Sequence, residues 1–409
     1  MTPTPVRPLW AGRALALVGI VLVAFNLRTA VASLSPVLGR IEAEIELAPV
    51  VVGFLGMLPP LCYAVFGIAT PRFAKRFGLE RTLVVALAAL ALGLAGRGFA
   101  GSALALVGAS ALAFAAIGVG NVLLPPLVKR YFPDRIGLVT TLYVTAMSVS
   151  TFIPPLIAVP VADAAGWRVS IGEWAIVAGL ALVPWLVMLV RPAGDRGASA
   201  SAPSPEEPAA AGFGRMLRSL LAWALVVVFG VGSFNAYAAF AWMPQIVQDT
   251  AGTTAAEAGA MLALLAAVGL PIGVVVPMVA ARYGRIRLLI GISTVSFVAG
   301  YLGLLLAPAA AVWLWMVLIG TGQIIFPLAL VLINLRSRTH AGAVSLSGFV
   351  QSFGYVLAAL GPIAVAGLHE ATGAWTAPLV LLLVSVVPAA VAGVVVARPR
   401  YVEDDATGR

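Results

Sequence analysis

Twelve runs of about 20 or more apolar residues, separated by short polar connections, constrain this chain more than any other feature. They fall near 13–38, 50–70, 82–101, 103–128, 137–160, 171–190, 219–247, 257–281, 288–307, 311–335, 342–367 and 376–397. A helix needs about 20 such residues to cross the hydrocarbon core of a bilayer. Of the 409 residues, 61% are hydrophobic and only 10% charged, against about 25% charged in ordinary soluble domains. The expected fold is therefore an all-α membrane protein with twelve transmembrane helices. The short alternating segments of a membrane barrel are absent. The first run is too long for the core of a secretory signal and is read as a membrane helix.

The basic residues set the orientation. Twenty-one of the 25 Lys and Arg lie at the termini or in the even-numbered connections, and only Arg40, Arg97 and Arg168 lie on the other side. Both termini are expected on the cytoplasmic side of the inner membrane. The pI near 10.3 thus reflects topology, and no nucleic-acid partner is expected. One cysteine and two histidines leave no material for a disulfide framework or a Cys/His metal cluster. A phosphate-binding Gly-x4-Gly-Lys-Ser/Thr loop is missing, which excludes ATP drive within this chain. Neither a metal nor a cofactor is expected, and a membrane-embedded enzyme would need a catalytic cluster that the apolar runs lack.

The longest polar connection, Ala-, Ser- and Pro-rich from 192 to 214, has the composition of a flexible linker. It divides the chain into expected bundles at 1–191 and 215–409, and these repeat each other. Phe25-Asn26 returns as Phe234-Asn235. Arg76-Phe77-Gly78-x2-Arg81 returns as Arg282-Tyr283-Gly284-x2-Arg287. Gly118-x-Gly120-Asn121-x3-Pro125 returns as Gly320-x-Gly322-Gln323-x3-Pro327, and Pro154…Trp167 as Pro362…Trp375. Four matches in one order indicate a duplicated six-helix unit.

Arg28 lies well inside the first run, where an ionised side chain is costly and usually functional. No acidic residue stands in that run to neutralise it. Proton-coupled carriers usually keep a titratable group at mid-membrane; the inner helices here have none. Arg28 is therefore expected to bind an anionic solute, the structural alternative being a guanidinium that bonds carbonyls. Tyr237 holds the mirrored position. Phe25 and Phe234 share the faces of Arg28 and Tyr237. Asn121, Tyr143, Met147, Gln323, Gln351 and Tyr355 are the other substrate-binding candidates on inner helices. Asn26 is two residues from Arg28 and points elsewhere, so Asn26 and Asn235 are expected to bond neighbouring helices. Arg72, Arg76, Arg282 and Arg287 are expected to set topology and to bridge the halves in one state of the cycle.

Two bundles related by an axis along the membrane normal are an arrangement of the major facilitator superfamily. The chain resembles that superfamily's cyanate and 2-nitroimidazole transporter branch. The matching residues are Asn26-Leu27-Arg28, Pro71-Arg72 through Arg76-Phe77-Gly78-Leu79-Glu80-Arg81, Gly120-Asn121-Val122-Leu123-Leu124-Pro125, and Gln351-Ser352 with Gly354-Tyr355. Lys75 departs from the superfamily pattern, which has Asp there. The resemblance implies inner-membrane transport of a small compact solute by alternating access. A small anion such as cyanate is expected, and efflux of small neutral or amphiphilic compounds such as nitroimidazoles is the alternative. The chain is expected to act as a monomer in the lipid bilayer, with a coupling proton or counter-solute left open.

Overall fold

The structure, a computed structural model, describes residues 13–405 apart from 133, 191–215 and 339. The 192–214 linker lies outside the described residues. The chain before the linker holds α1 (Ala14–Ala32), a 3-10 turn at Ser35–Val37, α2 (Leu38–Glu42), α3 (Pro49–Phe77), α4 (Leu79–Gly98), α5 (Ala103–Tyr131), α6 (Ile136–Ala165), α7 (Trp167–Gly172) and α8 (Trp174–Val190). Then follow α9 (Leu220–Ala251), α10 (Ala255–Tyr283), α11 (Ile286–Leu306), a 3-10 turn at Pro308–Ala310, α12 (Val312–Gly322), α13 (Ile325–Leu335), α14 (His340–Thr372), α15 (Thr376–Val396) and α16 (Val402–Asp405). Among the described residues, twelve spans are long and apolar enough to cross a membrane.

The described chain packs as two compact units. One contains the chain up to Glu46 and from Cys62 through the sixth span. The other contains Leu47–Leu61 and everything from the seventh span on. α3 therefore contributes its first turns to the second unit and the rest to the first.

Each unit is built in the same way. In the first, α1 packs on α5, α6 and α8, and α4 packs on α5 and α8. In the second, α9 packs on α13, α14 and α15, and α11 packs on α12 and α15. The duplicated Arg-aromatic-Gly turn uses a positive-φ glycine in both, Gly78 after α3 and Gly284 after α10 with φ of 87° and 61°, though their ψ of 160° and 17° differ. A side chain at either would strain that positive-φ backbone. The outer faces of α4, α8, α11 and α15 expose Val85, Leu92, Ile176, Val295 and Val391, each more than 60% accessible. Such continuous apolar surface suits lipid.

Two spans are interrupted. α7 and α8 meet at Glu173, whose backbone stays helical. α12 ends at Gly322, and α13 starts three residues later at Ile325 with Pro327 in its first turn. The freed groups find partners: the Ser293 hydroxyl donates to the Gly322 carbonyl, and the Gln323 amide N–H to the Gly320 carbonyl at 3.1 Å.

Candidate functional site

The inner helix of each unit is fixed by an asparagine. Asn26 is fully buried on α1. Its Nδ2 donates to Leu22 O one turn back at 2.8 Å and to Val177 O on α8 at 3.3 Å. Asn235 on α9 donates to Val231 O at 2.9 Å and to Ser385 Oγ on α15 at 3.0 Å. The two contacts correspond across the repeat, since Val177 and Ser385 stand 208 residues apart. The second unit adds a bond: Tyr301 on α11 donates its hydroxyl to Asn235 Oδ1 at 2.8 Å. Leu94 occupies the matching place on α4, and Asn26 Oδ1 is buried with no hydrogen-bond partner.

Arg28 is half-buried on α1, two residues past this anchor. Its Nη1 makes a long 3.4 Å contact with Leu27 O. α5 meets α1 at Gly120, where a Cβ would come 2.8 Å from Leu27 Cδ2, and Asn121, next in the chain, is half-buried. Phe25, Tyr143 and Met147 are half-buried in the same unit. The backbone carbonyl of Met147 accepts bonds from Ser150 and Thr151 at 2.8 Å.

In the second unit Tyr237 is half-buried on α9. Phe234 is 8% exposed and lies under α14, where Gly361 would bring a Cβ to 3.3 Å from its ring. Gln323 turns to α9. With its amide oriented to suit its neighbours, it donates to Gly232 O at 3.0 Å and accepts from Ala236 N at 3.2 Å. One side chain thus shares the two backbone groups that close a turn of α9 just before Tyr237. Gln351 Nε2 donates to Ser347 Oγ at 2.7 Å, and Tyr355 packs edge-on against Phe229 at 5.2 Å. Arg72, Arg76, Arg282 and Arg287 are all exposed, Arg76 and Arg282 lying over the rings of Phe77 and Tyr283.

Counting basic residues places Arg97 on the far side, near the end of the third apolar run. The structure buries it completely in the last turn of α4, inside a span. Its Nη1 donates to Ala30 O on α1 at 2.9 Å, and its guanidinium lies 5.9 Å from the Phe114 ring. The last turn of α1 has no basic residue of its own, so Arg97 supplies a cation to that helix C-terminus. Its place before Gly98-Phe99, still within the helical run, was the only sequence signal.

Among the described residues no group of three or more His, Cys, Asp or Glu could hold a metal. Outside the spans, Arg13 grips Asp134 with bonds of 2.5 and 3.1 Å. That bond holds the Asp134 carboxyl below the usual carboxylate range.

Twelve spans in two units of one packing pattern, with amides and one cation on the innermost helices, define a carrier of small solutes. Residues 19–362 match the Major Facilitator Superfamily, and the chain belongs to it. It is 31% identical over 369 residues to the 2-nitroimidazole transporter of Escherichia coli (strain K12), covering 90% of this chain and 91% of that protein. It is 25% identical to the cyanate transport protein CynX of the same organism, covering 84% and 87%. Its fold matches that of a bacterial homologue of the human lysosomal transporter Spinster, with a TM-score of 0.73, 14% identity and coverage of 96% and 97%. The protein is a multi-pass membrane protein and a secondary transporter of a small solute. Members of this family are generally not enzymes.

Proposed function

We propose that this transporter moves a small anion, cyanate or another compact organic or inorganic anion, across the inner membrane by alternating access. The observation that carries this reading is Arg28, a half-buried guanidinium in the interior of the first span. Among the described residues every Asp and Glu in the spans lies within about two turns of a span's end, and a cation inside a span is costly unless it meets a counter-charge or polar groups. A charge-assisted bond to an anionic solute would offset the cost of burying the cation. Asn121, next to the place where α5 meets α1, is an amide suited to the same ligand. Tyr237, Gln351 and Tyr355 are the uncharged candidates in the second unit. The likeness to the cyanate transport protein supports this reading. The charge bias of the connections supports cytoplasmic termini, and the reading takes the monomer as the working unit.

The likeness to the 2-nitroimidazole transporter favours a second reading, efflux of small neutral compounds with Arg28 structural. A thermal-shift screen of the purified protein against cyanate, graded small anions and 2-nitroimidazole separates the two. Ligand binding raises apparent stability by mass action. The anion reading expects stabilisation by cyanate that disappears in Arg28→Ala, together with loss of uptake and a retained fold. Full uptake by that variant would sink it.

A further inference from the structure

One turn along α1 from Asn26 is Ala30, and one turn back along α8 from Val177 is Glu173. Successive spans run antiparallel, so the Asn26–Val177 bond puts Ala30 and Glu173 at one level. Arg97 reaches that level from α4 through its bond to Ala30 O. The backbone next to both residues is also in contact: a Cβ on Gly98, which follows Arg97, would lie 3.2 Å from the Cα of Gly172, which precedes Glu173.

What these two side chains leave unmet is complementary. Arg97 Nη1 is on Ala30, while Nε and Nη2 are buried with no hydrogen-bond partner among the described residues. Nε and Nη2 form the edge of a guanidinium that grips a carboxylate with two parallel bonds. Glu173 Oε1 is likewise buried and unpartnered. The second unit shows that the architecture does not require the pair. The buried faces of α4 and α11 match at an offset of 207, as in Gly93 with Gly300 and Leu94 with Tyr301. Arg97 then corresponds to Leu304, which is 1% exposed, and Glu173, by the offset of Val177 to Ser385, to Leu381. A charge of each sign enters the same layer of one unit only.

We infer that Arg97 and Glu173 are a positioning pair for Arg28: ionised Glu173 accepts the free edge of Arg97 while Nη1 stays on Ala30, clasping α4 and α8 to the end of α1 that carries Arg28. Protonating Glu173 opens the clasp. The arrangement described above is the open form. The other charged groups on the surrounding elements are Arg28 on α1, Glu42 on α2, and two pairs already made, Arg168 with Glu44 and Arg40 with Asp163.

The test has two arms on the full-length protein. The first is a thermal-denaturation cycle of Arg97→Leu, Glu173→Leu and the double variant, which copies the second unit. Each single variant should lower the melting temperature, and the double should recover most of the loss. Effects that simply add would overturn the pairing. The second arm rests on the anion reading: cyanate uptake into liposomes at graded external pH. Glu173→Gln, a close mimic of the protonated acid, should raise KM about fivefold at every pH with Vmax little changed. Wild type should approach that KM only on acidification, and Glu173→Asp should keep part of the pH response. A KM for Glu173→Gln equal to wild type at neutral pH would overturn the positioning role. If wild type takes up no cyanate, the substrate reading fails, and the first arm still decides the pairing.

Discussion

The two units place the same side chain in the same contact and then spend it differently. Asn26 and Asn235 each bond back one turn and across to the sixth helix of their unit. Around Asn235 the network is closed by Ser385 and Tyr301. Around Asn26 it is left open, and the neighbouring positions carry Arg28, Arg97 and Glu173 where the second unit has Tyr237, Leu304 and Leu381. The shared part is architecture, because both halves need it. The part that differs is where a specific function can reside, and it is charged in the first unit alone.

Copying one unit into the other breaks this comparison most severely at Arg28. Arg28→Tyr, which imports Tyr237, should abolish anion uptake in a liposome flux assay while leaving circular dichroism unchanged. Asn235→Leu comes next. It removes the Ser385 and Val231 bonds and strands the buried Tyr301 hydroxyl, at a cost of about 1–3 kcal/mol in denaturant unfolding. Asn26→Leu should cost less, about 1 kcal/mol, because its Oδ1 already lacks a partner; an equal loss at the two sites would show that Tyr301 contributes nothing. Leu94→Tyr should sharpen the contrast by giving Asn26 a hydroxyl donor, for a gain below about 1 kcal/mol if the ring fits. Strong destabilisation would mean that this layer has no room for the second unit's solution.

The smallest effect concerns Arg13 and Asp134. Because the bonded guanidinium depresses the Asp134 carboxyl, this pair's contribution is complete above the unfolded aspartate value of about 3.9. It is lost as pH falls through the lower folded value. Asp134→Asn should remove that acid-limb component from a melting-temperature profile and leave the neutral-pH fold intact.

Much of this was legible because the bilayer writes itself into sequence. Apolar runs gave twelve spans, and the duplication was visible in motifs such as Arg76-Phe77-Gly78, whose positive-φ glycine recurs at Gly284. Helical spacing separated Asn26 from Arg28, and Asn26 indeed bonds a neighbouring helix. The inward turn of Arg97 was hidden for a physical reason. A charge near the end of an apolar run looks the same whether it snorkels to water or turns inward to a helix terminus, and only the position of α1 decides. The grip of Gln323 on α9 was equally hidden. The proline four residues on pointed to freed backbone in its own helix, whereas the amide serves another one.

That grip gives the second unit a local reporter. The Ala236 amide is held partly by a side chain from a different span, so its opening need not await the unfolding of α9. In hydrogen exchange it should follow the motion of α12 and α13 against α9, rather than the stability of the unit as a whole. Gln323→Leu should then change protection at Ala236 far more than at amides a few turns away. One amide proton would thus record how often the broken tenth span lets go.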